Sequence, residues 1–282
     1  MKPILLYASE FWGNLKLPQN NPIGILHISF CKQLLGVQKQ TTNVGVLLEL
    51  GQIPLSIYAK KMAIKNWERI SNHLNCNDMA IVSYENSVAL NLTWPKRIEN
   101  TLSEIGMLEN FLLKTVNTNH VAFQRMCDIF HQDSFSQIRD VKSKLRTYSI
   151  FKDKIGYEEY LSSIHNIQDR VAFTKLRLSN HRLRIEVGRH NGIPKHMRTC
   201  PFCPTHIEDE IHFLLECKTF QSHRNDLINN IAVDIRNFSI LHLNEKFNIL
   251  MSNQKLTRHT AKHIARTFEV RDYLLKYHKN NT

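Results

Sequence analysis

Cys200, Cys203, His212 and Cys217 stand in the pattern C-x2-C-x8-H-x4-C, which gathers three of the chain's six cysteines into one short stretch. Thiolate sulfur and imidazole nitrogen are the ligands that zinc takes tetrahedrally. Four protein ligands leave no position for water, so the chemistry expected is structural rather than catalytic. The Cys200-Pro201-Phe202-Cys203 turn supplies two ligands from one knuckle. His212 and Cys217 are expected from a short helix starting near the acidic run Glu208-Asp209-Glu210. Residues five apart on an α-helix diverge by about 140°, so that helix has to end before Cys217. Glu216, four residues after His212, and His206, close to the knuckle, compete as ligands. Buried thiols in a helical core, or a disulfide, are the alternatives to structural Zn2+. Nothing marks the chain as secreted, which favours zinc.

The other histidines, such as His190 and His196, follow no metalloprotease spacing. Cys31, Cys76 and Cys127 occur singly in helical-looking sequence and read as small hydrophobes. The 282 residues are 42% hydrophobic and carry a formal charge of +12 with a pI near 9.5. Such a charge points to polyanionic partners, RNA or DNA first; no small-molecule substrate is expected. The first eight residues make too short an apolar run for a signal peptide, and no stretch approaches a membrane span. An intracellular protein, nuclear or cytoplasmic, is expected. The charge is concentrated: thirteen Lys/Arg against five Asp/Glu lie between Lys142 and Arg198, directly ahead of the metal pattern.

Nine glycines and eight prolines in such a length indicate a mainly α protein, a helical linker layer followed by a small zinc-stapled helical domain. Helices are expected at about 22–37 and 42–51, and from Pro54 through Ala59, Ala63, Trp67, Ile70 and Leu74. Others are expected at about 78–92 and 97–115, with Trp94-Pro95 as their boundary. Asp133 reads as the N-cap of a helix carrying Phe135, Ile138, Val141 and Leu145. Helices near 157–164, 222–236 and 256–278 complete the set. The expected division is 1–140, a helical region; 141–220, the basic helical and metal-binding module; and 221–282, a helical tail.

The segment 167–190 reads as one helix ending at Gly188, with Ala172, Leu176, Ser179, Leu183 and Val187 on its apolar side. Arg170, Arg177, His181 and Arg184 form a basic stripe opposite, flanked by Lys175, Arg182 and Arg189. Lys175, Arg177, Arg182, Arg184 and Arg189 are therefore the candidate phosphate contacts. The competing reading is a solvated face.

Several short motifs carry a resemblance. Lys144-Leu145-Arg146-Thr147-Tyr148 is followed by Lys175-Leu176-Arg177-Leu178-Ser179 with His181, and then by Ile185-Glu186-x-Gly188-Arg189. Cys200-Pro201-Phe202-Cys203 and Ile207-Glu208-Asp209-Glu210-x-His212-Phe213-Leu214-x-x-Cys217 come next. In this order they resemble the carboxy-terminal region of reverse transcriptases from LINE-type (non-LTR) retrotransposons. Leu5-Leu6-Tyr7-Ala8-Ser9-Glu10, Phe30-Cys31-Lys32 and Glu49-Leu50-Gly51 resemble the stretch just past that family's polymerase domain. The resemblance implies a non-catalytic fragment of a larger enzyme, with Met1 an internal methionine of a longer frame. It also implies a zinc module that helps hold template RNA or target DNA. Polymerases of this kind hold two metal ions on adjacent aspartates, and the ten aspartates here include no Asp-Asp pair.

Overall fold

The computed structural model describes residues 2–16, 21–72, 78–140 and 142–280. Among these there is no strand, only two isolated bridges, Leu50 with Tyr157 and Thr199 with Ile207. The helices are α1 (Lys2–Leu5), α2 (Ser9–Trp12), α3 (Pro22–Leu35), α4 (Asn43–Glu49), α5 (Leu55–Ser71), α6 (Met79–Ala89), α7 (Thr93–Glu104) and α8 (Leu108–Leu112). There follow α9 (Thr118–Arg139), α10 (Tyr148–Phe151), α11 (Tyr160–Ser163), α12 (Ile167–Arg177), α13 (Arg184–His190), α14 (Gln221–Asp234), α15 (Leu243–Ser252) and α16 (Thr257–Asn280). The fold is mainly α, with the Cys/His cluster in a small helical setting. No helix among the described residues is long and apolar enough to cross a membrane.

The chain divides into two compact units, Met1–Ser29 with Gln52–Ser134, and Phe30–Gly51 with Phe135–Thr282. The first is built on α5, where Ala63, Ile64 and Trp67 pack with Ile98 and Leu102 of α7 and Ala122 and Met126 of α9. Trp67 is fully buried; its indole N–H donates to the Tyr84 hydroxyl at 3.0 Å, and its ring stacks on Phe111. The one polar atom of that core side chain is thereby satisfied.

The second unit packs α12 along α16 and α10 against α15. Its core joins Leu145, Tyr148, Phe173, Leu176, Phe213, Phe220 and Phe247 with the sulfurs of Cys200 and Cys217. The units are drawn otherwise than the expected linear cut at 140 and 220. Residues 30–51 belong with the second because Glu49 is buried there against Arg177, and 221–282 share one core with 141–220. Gly51 lies at φ +58°, and a Cβ there would sit 2.5 Å from the Tyr157 amide nitrogen. That close approach lets Glu158 N–H donate to the Glu49 carbonyl at 3.0 Å.

Three sequence expectations change. Trp94-Pro95 lies inside the first turn of α7, where a missing N–H costs nothing, and the break falls at Leu90–Leu92 instead. Asp133 is no cap; it lies within α9, a helix of 22 residues that the scattered apolar positions of 118–132 did not announce. Leu145 falls beyond the end of that helix, while Val141, Leu74 and Cys76 lie outside the described residues.

Candidate metal centre and the basic segment

The knuckle is a tight reversal. Cys200 N–H donates to the His206 carbonyl at 2.8 Å, His206 N–H donates to the Cys203 carbonyl at 3.0 Å, and Thr199 bridges Ile207. The amides of Phe202 and Cys203 point at the Cys200 sulfur, and that of Thr219 at the Cys217 sulfur. N–H groups aimed at sulfur favour the thiolate, the form that binds metal.

On the other side the five-residue spacing is met by a π-helical segment, His212–Glu216. Cys217 N–H closes the wide turn onto the His212 carbonyl at 2.8 Å, and Cys217 itself leaves the helix at ψ 119°. An α-turn would send the two side chains apart; an i→i+5 turn returns the chain to the same side. Asp209 accepts from the His212 amide at 2.8 Å and opens this segment. Arg224 closes it, donating to the carbonyls of Leu214 at 3.0 Å and Cys217 at 2.7 Å from a fully buried position.

The ligand atoms of Cys200, Cys203, His212 and Cys217 all lie within 4.8 Å of one another. The Cys217 sulfur is 3.7 Å from that of Cys203 and 4.0 Å from that of Cys200. A tetrahedral site with zinc–sulfur bonds of about 2.3 Å separates its sulfurs by about 3.8 Å, whereas a disulfide needs about 2.05 Å. The cysteines are free, so the disulfide alternative fails on distance. The Cys217 thiol is held low by the hydrogen bond from Cys200, whose own thiol is pushed up. Both ring nitrogens of His212 are buried without a hydrogen-bond partner, and a bound metal ion would satisfy one of the two. The residues fit a metal ion, and Glu216 and His206 stand outside the set. Glu216 reaches only to 3.8 Å of His212 Nδ1, and His206 stacks on the His212 ring while sharing a hydrogen bond with Thr205.

The basic segment is two helices, not one. After α12 the chain turns through Ser179 at φ +48° and restarts at Arg184, so the single-helix wheel does not apply. Gly188 lies inside α13 rather than at its end; a Cβ there would meet the Arg198 side chain at 2.6 Å.

Arg177 has to be withdrawn as a phosphate contact. It is 1% exposed, its guanidinium donates to both Glu49 oxygens at 2.9–3.2 Å, to Glu158 at 2.7 Å and to the Met251 carbonyl, and Phe151 and Tyr160 ring it at 4.4 and 4.9 Å. A buried guanidinium needs such neutralisation. Arg170 and His181 leave the stripe too: Arg170 donates to the carbonyls of Leu161 and Ile164, and His181 hydrogen-bonds Glu210. Arg189 is half-exposed but held by Glu186 at 3.0 Å. Lys175, Arg182 and Arg184 are the candidates whose side-chain charges have no partner among the described residues; Arg182 and Arg184 are exposed and Lys175 half-buried.

The structure adds residues that sequence reading missed. Arg146 bridges Glu186 at 2.6 Å and both oxygens of Glu210 at 2.7 Å, and Ser179 donates to Glu210. Burial alone would raise the Glu210 carboxyl, but the hydrogen bond and charge of His181 and the charge of Arg146 hold it at about 2. Glu208 takes Arg271 at 2.7 and 2.8 Å and caps α13 by accepting from the Arg184 amide at 2.6 Å. The acidic run beside the metal ligands therefore fastens the hairpin to α13 and α16. The run itself carries no apolar signal of this, whereas Glu49 in Val46-Leu47-Leu48-Glu49-Leu50 does: a carboxylate among apolar neighbours demands a buried cation from elsewhere. Compared with protein-family models, curated proteins and solved structures, the chain matches none.

Proposed function

We propose that this chain is a non-catalytic, zinc-stapled module that binds nucleic acid without sequence preference, a fragment of a retroelement reverse transcriptase acting inside the cell. The carrying observation is the four-ligand Cys/His cluster with tetrahedral sulfur spacing and an unsatisfied buried His212. Zinc bound there by Cys200, Cys203, His212 and Cys217 has no open position, so it would supply folding free energy and no Lewis acidity toward a substrate. The nucleic-acid part is supported by the unpartnered charges of Lys175, Arg182 and Arg184 on elements fastened to that centre, and by the resemblance of the motifs.

A second reading has a specific observation in its favour. Arg146, Arg177, Arg189 and Arg271 are all held by carboxylates, so much of the local charge is internally balanced, as in a scaffold module with no nucleic-acid partner. Binding measured from about 50 to about 200 mM salt separates the two. A nucleic-acid module loses affinity steeply, with a log-log slope of about −0.7 to −0.9 per phosphate neutralised. The double variant Arg182→Ala, Arg184→Ala then binds all sequences more weakly with a shallower slope. No binding to RNA or DNA at the lowest salt leaves the scaffold reading.

A further inference from the structure

Between α12, α13 and α16 lies a cleft of about 750 Å³, within the ~300–1,000 Å³ span of ligand sites. Its lining is mixed: Lys144 and Glu186, which pair with each other, and His181, held by Glu210, share it with groups that are free to act. Lys175 and Arg182, two cations without partners among the described residues, line the wall formed by α12 and the turn after it. The apolar lining, its floor, comes from Val171 and Ala172 on α12 and Ala265 and Phe268 on α16; the Phe268 ring stacks on Phe213 at 4.5 Å and on His181 at 6.4 Å. The far rim carries Glu269 and Asp272, the latter beside Arg271 at 3.7 Å.

We infer that this cleft receives unpaired nucleotides of a single strand, with phosphates along Lys175 and Arg182 and bases laid against the Ala172–Phe268 floor. The assignment rests on the nucleic-acid reading above and names which form of nucleic acid the site takes. Duplex presents its bases edge-on inside grooves that a protein must enter, so a concave apolar floor offers it nothing. An unpaired strand splays its bases outward and buries them on such surfaces. Charge sets the direction of entry: carboxylates at Glu269 and Asp272 repel phosphate, so the backbone tracks the α12 wall and the bases point toward α16.

The test uses the full chain, a fluorescent ten-nucleotide strand, the same sequence as duplex, and a mononucleotide as competitor. Phe268→Leu keeps apolar bulk and removes the ring, and Ala172→Leu fills the floor without touching charge. Each should weaken single-strand binding about tenfold, as expected for loss of about one base contact, while duplex affinity stays within about twofold. The chain stays folded at the assay temperature, checked by circular dichroism, although loss of the Phe213 stack lowers the melting temperature of Phe268→Leu. Lys175→Ala with Arg182→Ala should weaken the strand and make its salt slope shallower. Equal wild-type affinity for strand and duplex, or floor variants that bind the strand as wild type does, overturns the cleft assignment and leaves general nucleic-acid binding standing. A mononucleotide that competes as strongly as the strand also overturns it, since the cleft would then be a nucleotide pocket. Absence of all binding removes the underlying reading as well.

Discussion

The two compact units build their interiors by different means. The first relies mainly on apolar contact around Trp67, with side-chain hydrogen bonds such as Trp67 to Tyr84 and Thr101 to Asn14. The second encloses a cluster of metal-ligand side chains and three buried arginine–carboxylate groups, Arg177 with Glu49 and Glu158, Arg146 with Glu186 and Glu210, and Arg271 with Glu208. An apolar core yields gradually when trimmed. A core held by charges and metal ligands fails at single points, because each group is costly to bury without its partner.

The largest effect expected follows from the metal. Chelation, or Cys203→Ser, should unfold the 195–220 region, as structural zinc contributes on the order of 10 kcal/mol to local folding. Hydrogen exchange should show that loss in the second unit while amides around Trp67 stay protected. If the Trp67 core melts together with the hairpin, the contrast between the units fails.

Next come the buried charges. Glu210→Gln removes one of the two carboxylates that hold Arg146, leaving Glu186 at 2.6 Å, and should destabilise the chain by about 1–3 kcal/mol in denaturant unfolding. Its pH dependence has a definite sign. A carboxyl held at about 2 in the fold, against roughly 4.3 unfolded, contributes stability fully present above about pH 4.5 and lost as pH falls toward 2. The gap between wild type and Glu210→Gln should therefore narrow through that window; a gap that is constant with pH would contradict it. The smallest effect belongs to the exposed cations: Arg184→Ala should change stability by no more than about 0.5 kcal/mol, which makes it a clean probe of binding where Arg177→Ala is not.

That difference also shows what could be read from the chain alone. The clustering of Cys200, Cys203, His212 and Cys217 was legible because few residue types bind metal and their spacing is short-range. Helical content was legible from the scarcity of glycine and proline, and the Trp67 helix from its 3.6-residue period. The π-turn was not, since it answers to the convergence of the Cys/His cluster and to Arg224 rather than to local propensity. Nor was the fate of Arg177. Its partner Glu49 lies 128 residues away, and a helical wheel has no means of telling a guanidinium bound for a distant carboxylate from one bound for phosphate. The motifs Lys144-Leu145-Arg146, Ile185-Glu186 and Glu208-Asp209-Glu210 carried the resemblance, and in the structure several of their charges hold one another.

The most direct test is zinc-edge X-ray absorption on the purified, metal-loaded chain. Three sulfurs at about 2.3 Å and one imidazole nitrogen at about 2.0–2.1 Å, with no oxygen from water, is the shell expected of a closed site made by Cys200, Cys203, His212 and Cys217. A shell with only two sulfurs, or with a water oxygen in the fourth position, would contradict it.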